Sequence, residues 1–346
     1  MSDRLPSRRR VVAVGAGCAV ALVAAVLCGL AIGPTPIPAT RIAGALLARV
    51  GLGHSTLSPL ASTIVWQIRA PRMVLGLLVG AMLAVAGGTY QGVFRNPLAD
   101  PYLLGVAAGA GLGATIAIAD VGGGLTTPSW TPALAFVGAL VAVALTWAVG
   151  GRGLHSGTST LILAGVAVAS LLTSAQTYLQ QRASTDSLAR VYIWLLGSLA
   201  SASWHSVLLV VPYVVLCAAV CVAAGRALDV MSVGESESRS LGLPVARVRL
   251  IVIVAASLGT AAVVSVAGLI GFVGIIVPHL IRLLAGTSYR RILPLSVAAG
   301  AAFLVLCDTV ARTVMAPSEL PLGVVTAVVG APVFVVVLSL RRRVVA

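Results

Sequence analysis

Gly271-Phe272-Val273-Gly274-Ile275-Ile276-Val277-Pro278-His279-Leu280-Ile281-Arg282 ends a stretch, 250–281, that holds no Asp, Glu, Lys or Arg. As one helix that stretch would be roughly 48 Å long, whereas the hydrocarbon of a bilayer is about 30 Å thick. It therefore reads as two membrane spans. Gly268, Gly271, Gly274 and Pro278 offer the break between them, because Gly and Pro weaken helix interiors.

The same texture runs outward along all 346 residues, of which 59% are hydrophobic and 9% charged, with a mean hydropathy of +1.07. No soluble domain of this length has that composition. At about 20 apolar residues per crossing, the charge-poor windows supply about ten spans. They lie near 11–33, 73–93, 102–119, 131–150, 159–180, 206–225, 248–267, 269–284, 292–311 and 321–340. The fold class is all-α, a polytopic membrane protein whose single transmembrane domain occupies 1–346. Arg8-Arg9-Arg10 ahead of an apolar core imitates a signal peptide, but no clear small-x-small cleavage site follows, so a retained first span is expected.

All 23 basic residues are Arg. Without Lys the chain has no GxxxxGK[ST] phosphate loop, so it is not expected to hydrolyse ATP, and no catalytic residue or cofactor is assigned. Cys18, Cys28, Cys217, Cys221 and Cys307 fall in predicted spans and read as small core residues. His54, His155 and His205 have no ligand spacing, so no metal site is expected.

Arginine sets the orientation. With ten spans both termini share a side, and Arg4, Arg8, Arg9, Arg10, Arg341, Arg342 and Arg343 make it cytoplasmic. The tail 1–10 and the loop 227–247 are then cytoplasmic and the segment 34–72 extracytoplasmic. Seven arginines fall outside: Arg41, Arg49, Arg69, Arg72, Arg182, Arg190 and Arg312. Four of these belong to 34–72, which either tolerates charge as a solvated loop or presents cations to an acidic partner. Within it, Pro71 reads as the first turn of the second span, placing Arg69 and Arg72 at the outer mouth, as docking groups or as snorkelling anchors.

Thirty-seven glycines, many in small-residue runs such as 80–88 and 105–113, suit close helix packing in lipid. Carboxylates are scarce. Asp100, Asp120, Asp186, Asp229, Glu235, Glu237 and Glu319 map to loops or span ends, leaving Asp308 near the outer end of the ninth span, four residues before Arg312 and able to pair with it. An ion-coupled carrier usually keeps carboxylates near the midplane, and that equipment is missing. The loop 227–247 mixes Glu235, Glu237 and Arg239 with Leu241-Gly242-Leu243-Pro244, in which Gly ends one short helix and Pro begins another. It reads as a compact knob or as an ordinary charged loop.

These residues resemble the permease family of ABC importers for ferric siderophores, haem and cobalamin. The resemblance runs from about Ile64 to the C-terminus, in ordered motifs: Gln67-Ile68-Arg69-Ala70-Pro71-Arg72, the run Gln91 to Pro101, Leu103-Leu104-Gly105-Val106, Leu163-Ala164-Gly165-Val166 and Trp194-Leu195-Leu196-Gly197. It continues through Gly234 to Leu243, Gly271 to His279 and Glu319-Leu320-Pro321-Leu322-Gly323-Val324-Val325-Thr326. Asp100 stands where some relatives carry Glu. The resemblance implies a ten-span subunit of a cobalamin-importer-like fold in a bacterial inner membrane. Its implied partners are a second permease copy or homologue, two cytoplasmic ATPases and an extracytoplasmic binding protein, with no nucleic acid. It further implies that Arg69, Arg72 and Arg312 dock the binding protein and that Gly234, Glu235, Glu237, Arg239, Leu241, Gly242 and Leu243 couple to the ATPase. Thr158 and Ser159 match the inner gate. A ferric siderophore is the leading cargo, with haem and cobalamin as alternatives; an ion-coupled carrier and a passive channel or scaffold are the competing classes.

Overall fold

Gly268 breaks the long apolar run. Helix α12 (Val245–Ala267) ends there with Gly268 at φ +70°, and α13 (Val273–Ala285) starts after Phe272 at φ +69°. Between them the backbone of Ile270 is satisfied by one side chain: Tyr102 Oη donates to Ile270 O at 3.0 Å and accepts from Ile270 N at 3.1 Å. Non-helical backbone inside a membrane protein needs such partners. Gly274 and Pro278, expected in the break, lie inside α13. The proline costs Gly274 O its i+4 donor, and Gln91 Nε2 supplies one at 3.2 Å.

The computed structural model describes residues 7–33, 35–49, 51–52, 54–119, 130–150 and 158–345, with the backbone alone at 158 and 336–345. The first six residues of the expected tail, Asp120, Arg152 and His155 lie outside the described residues. In chain order the helices are α1 (Arg8–Ala31), α2 (Ala39–Arg49), α3 (Pro59–Thr63), α4 (Ala70–Phe94), α5 (Val106–Ala119), α6 (Thr131–Gly150) and α7 (Thr158–Arg182). They continue with α8 (Thr185–Leu195), α9 (Trp204–Ala223), α10 (Gly225–Met231) and α11 (Glu235–Ser240), then α12, α13, α14 (Tyr289–Ala311) and α15 (Leu322–Val345). Among the described residues, seven helices are long and apolar enough to cross a membrane; α5, α13 and the start of α15 are shorter apolar helices. All ten coincide with the expected spans.

α4 forms the centre. Every residue from Val79 to Phe94 is buried, the signature of a helix enclosed on all sides. Glycine makes this possible: a Cβ on Gly80 would overlap Gly300 O of α14, and one on Gly87 would overlap Gly274 O of α13. The small-residue runs thus bring backbones into contact. α1 is peripheral; Arg10 Nη2 donates to Leu283 O at 3.0 Å, tying its first turn to the last turn of α13.

The second span starts earlier than Pro71 suggests. Ser58 caps α3 by accepting from Ala61 N at 3.3 Å, Pro59 fills the first turn, and helix continues through a π-helical turn, Ile64–Arg69, into α4. In that turn Ala70 N bonds Val65 O. The next such bond would need the N–H that Pro71 lacks, and Trp66 O instead accepts from Trp204 Nε1 at 2.9 Å. α2, α8 and α10 were not anticipated as separate helices. α2 shows why: Ile42 packs with Leu30, Ile37 and Val65, and Leu46 lies against them, a small tertiary cluster that the Pro- and Gly-rich surroundings conceal.

Gly87→Ala should destabilise the solubilised protein by about 1–3 kcal/mol, read as a lower thermal unfolding midpoint. Gly17→Ala, where a Cβ meets nothing within 4 Å, should leave the midpoint in place. Equal midpoints for the two variants would remove the backbone-contact explanation.

Candidate coupling, docking and gate sites

The charged loop folds into a knob. It consists of α10 and α11, separated by 232–234; α11 is the short helix expected to end at Gly242, whereas the helix that follows Pro244 is the span α12 itself rather than a second short helix. α11 closes with a Schellman arrangement: Leu243 N bonds Ser238 O at 3.0 Å and Gly242 N bonds Arg239 O at 2.9 Å. Gly242 takes φ +80°, which a Cβ would oppose.

Three side chains hold the knob together and fix it to the helices beneath it. Glu235 bridges Arg239 at 2.6 Å and Arg249 of α12 at 2.7 Å. Ser238, fully buried, donates from Oγ to Val230 O at 2.8 Å and also to Gly234 O. Asp229 of α10 accepts from Ser288 Oγ at 2.7 Å and from Tyr289 N at 2.5 Å, a carboxylate at the first turn of α14, where the helix dipole favours negative charge. The tip points out, with Val233 68% and Leu241 70% exposed and Glu237, Arg239 and Gly242 around them. Glu235 thus serves the knob's attachment and Leu241 its free surface. Asp229, Ser238 and Arg249, which carry that attachment, had no signal in the sequence beyond their polarity.

At the opposite end the three expected docking arginines converge, Arg69 and Arg312 buried and Arg72 partly so, its side chain 11% exposed. α1 has no basic residue in its last turn, and helix ends leave carbonyls without donors. Arg69 Nη1 donates to Leu30 O at 2.7 Å and Ala31 O at 3.0 Å, and its Nη2 reaches Thr35 O and, at 3.1 Å, Thr35 Oγ1. Arg312 Nη2 donates to Gly29 O at 2.5 Å. Both cations therefore cap α1, electrostatically the right sign for a C-terminus. Arg72 bridges Asp308 and Glu319, each at 2.8 Å. Asp308 spends its carboxylate on Arg72, so the expected Asp308–Arg312 pair is loose, at 3.9 Å. Glu319 is the accessible member, its side chain 35% exposed. The exposed arginines at this end are Arg41, Arg49, Arg182 and Arg190; Arg49 lies 4.6 Å from the centre of the Trp66 ring.

The expected gate opens α7. Ser159 is exposed, and the side chain of Thr158 lies outside the described residues. Along the same helix Ser170, Thr173, Ser174 and Thr177 are exposed. Ser170 Oγ donates to Val166 O, Ser174 Oγ to Ser170 O and Thr177 Oγ1 to Thr173 O, at 2.8–2.9 Å. The hydroxyls of Ser170, Ser174 and Thr177 thus spend their protons on carbonyls of their own helix.

Arg249, and then Arg239, hold the Glu235 carboxyl below the usual carboxylate range. A lowered acid stabilises fully above its ordinary pKa, about 4.3, and loses that contribution as pH falls through its folded value. Protection of the amides in 235–240, their exchange taken relative to the intrinsic rate at each pH, should therefore fall on acidification through that window, and Glu235→Gln should be poorly protected already at neutral pH with the acid step gone. At the other end Arg72→Gln strands the buried Asp308 carboxylate, at a cost of ~3–5 kcal/mol, while Glu319→Gln, at a side chain 35% exposed, should cost ~1 kcal/mol or less. Similar unfolding midpoints for the two would contradict the assignment of Asp308 as the dependent group.

Comparison with known proteins gives the family. The model of the FecCD transport family matches residues 21–340. The cobalamin import system permease protein BtuC of Halobacterium salinarum is 42% identical over 315 residues, covering 90% of this chain and 81% of the relative. The vitamin B12 import system permease protein BtuC of Escherichia coli is 38% identical over 287 residues, covering 83% and 86%. A solved metal-chelate type ABC transporter in an inward-facing conformation superposes with a TM-score of 0.83 at 29% identity, covering 94% of this chain and 98% of that one. The chain belongs to the FecCD transport family and is the multi-pass membrane permease of an ABC importer, whose ATP-hydrolysing subunit is a separate protein.

Proposed function

We propose that the importer moves a bulky metal chelate into the cytoplasm, a corrinoid such as cobalamin ahead of a ferric siderophore. The observation that carries the chelate class is the exposed Ser/Thr face of α7, whose hydroxyls are spent on their own helix. A wall of that kind suits a large cargo released by its carrier rather than one held at a tight site. The relatives named for a cargo, at 42% and 38% identity, are cobalamin permeases, which supports the corrinoid over the siderophore.

In this reading two permease copies face each other across their α7 helices, with Thr158 and Ser159 at the inner gate. The knob, Gly234 to Leu243, seats its Leu241 tip in a cytoplasmic ATPase, and both termini lie on that side. Closure of the ATPase dimer moves the knob, and with it α12 and α14, as a body. ATP acts only through its different affinity for the two states. An extracytoplasmic binding protein docks at the opposite end by carboxylates. Arg72 is exchangeable there because Glu319 is accessible, while Arg69 and Arg312 hold the rim through α1.

The test is purification of this chain from its native membranes with whatever it retains. A co-purifying phosphate-loop ATPase, whose hydrolysis rises with a cobalamin-loaded binding protein, is the expected result. Stimulation by a ferric siderophore alone would reverse the order of cargoes. A chain that purifies without an ATPase, and whose uptake survives ATP depletion, would overturn the mechanism.

A further inference from the structure

Gln91 sits in the most enclosed part of α4, 1% exposed, and faces two demands at once. Pro278 has no N–H, so Gly274 O lacks its helical donor; Gln91 Nε2 donates to that oxygen at 3.2 Å and to Ile275 O at 3.3 Å. On its other side Gln91 Oε1 accepts from Arg282 Nη2 at 3.3 Å. Two carbonyls require a donor and a guanidinium requires an acceptor, which fixes the amide's orientation. Arg282 in turn donates to Tyr289 Oη at 2.9 Å, and has no carboxylate within 4.0 Å among the described residues. Tyr289 N is the group held by Asp229 of α10, and α10 is the helix onto which Ser238 locks α11. Beside Gln91, a Cβ on Gly92 would stand 3.2 Å from both Leu228 and Tyr289, so α4, α10 and α14 meet tightly at this point.

We infer that Gln91 is a positioning residue of the transport cycle: through Arg282, Tyr289 and Asp229 it ties the proline-opened first turn of α13 to the knob, so that α13 moves when the knob moves. This rests on the knob's coupling to an ATPase. The arrangement makes a separable prediction. Replacing Pro278 by Ala gives Gly274 O a backbone donor and relieves Gln91 of its purely structural duty, without restoring the tie to Arg282.

The experiment uses the complex purified with its ATPase from native membranes and compares amide exchange in 273–282 between the nucleotide-free and the ATP–vanadate-trapped forms. In the unaltered protein exchange there should change on trapping. In Gln91→Leu that nucleotide response should shrink about tenfold, as for loss of one buried hydrogen-bonded partner, and the first turn of α13 should exchange faster in both forms. In the pair Gln91→Leu with Pro278→Ala the protection of the turn should return while the nucleotide response stays lost. Arg282→Met should lose the response as well, and combining it with Gln91→Leu should add nothing. If Gln91→Leu does not fold, Gln91→Glu serves: it keeps the volume and the Arg282 contact but turns an oxygen toward the two carbonyls. Absence of a response in the unaltered complex, its survival in Gln91→Leu, or its return with Pro278→Ala would each overturn the inference. A chain carrying no ATPase at all would instead refute the coupling assignment on which it rests.

Discussion

A backbone carbonyl without a donor has no water to turn to inside a bilayer, and much of this architecture consists of distant side chains sent to meet such carbonyls. Pro278 exposes Gly274 O and Gln91 arrives from α4; Pro71 exposes Trp66 O and Trp204 arrives from α9. The ragged turn between α12 and α13 is held by the hydroxyl of Tyr102. The last turn of α1 is closed by Arg69 and Arg312. Each device spans dozens to hundreds of residues in sequence, so the irregular elements act as the stitching between helices. Where the helix ladder is broken, the fold gains a specific long-range contact.

Charge follows the same economy. With 9 carboxylates against 23 arginines, few ion pairs are possible, and those present sit at the two ends of the bundle. Glu235 anchors the knob to α12, and Asp308 with Glu319 anchors Arg72 between α4, α14 and the segment before α15. Removing one partner from such a site leaves a poorly hydrated charge, so these few pairs matter more than their number suggests.

The spans were legible because apolar length is a strong signal, and the Gly268 break because the run 250–281 is too long to cross once. The knob was legible in outline: Leu241-Gly242-Leu243-Pro244 announces a helix end, and Gly242 takes the left-handed backbone such an end requires. What the sequence could not convey was partner choice. Asp308 and Arg312 are neighbours on one helix turn, yet Asp308 turns to Arg72, which the chain brings from 236 residues away. Arg69 and Arg72 read alike on spacing, and packing gives them different work, one on backbone carbonyls and one on carboxylates. Ser238 carries no sequence mark of being the fully buried rivet of the knob.

The bond between the Trp204 indole and Trp66 O, beside the guanidinium of Arg49 over the Trp66 ring, gives the segment 34–72 a built-in optical reporter. An indole whose N–H is engaged, and one that lies under a cation, both emit according to those contacts. Any event that lifts Arg49 or draws α9 away from the π-helical turn changes the intrinsic fluorescence of the chain itself. The end of the bundle where Arg69, Arg72 and Arg312 meet can thus be watched without an added label.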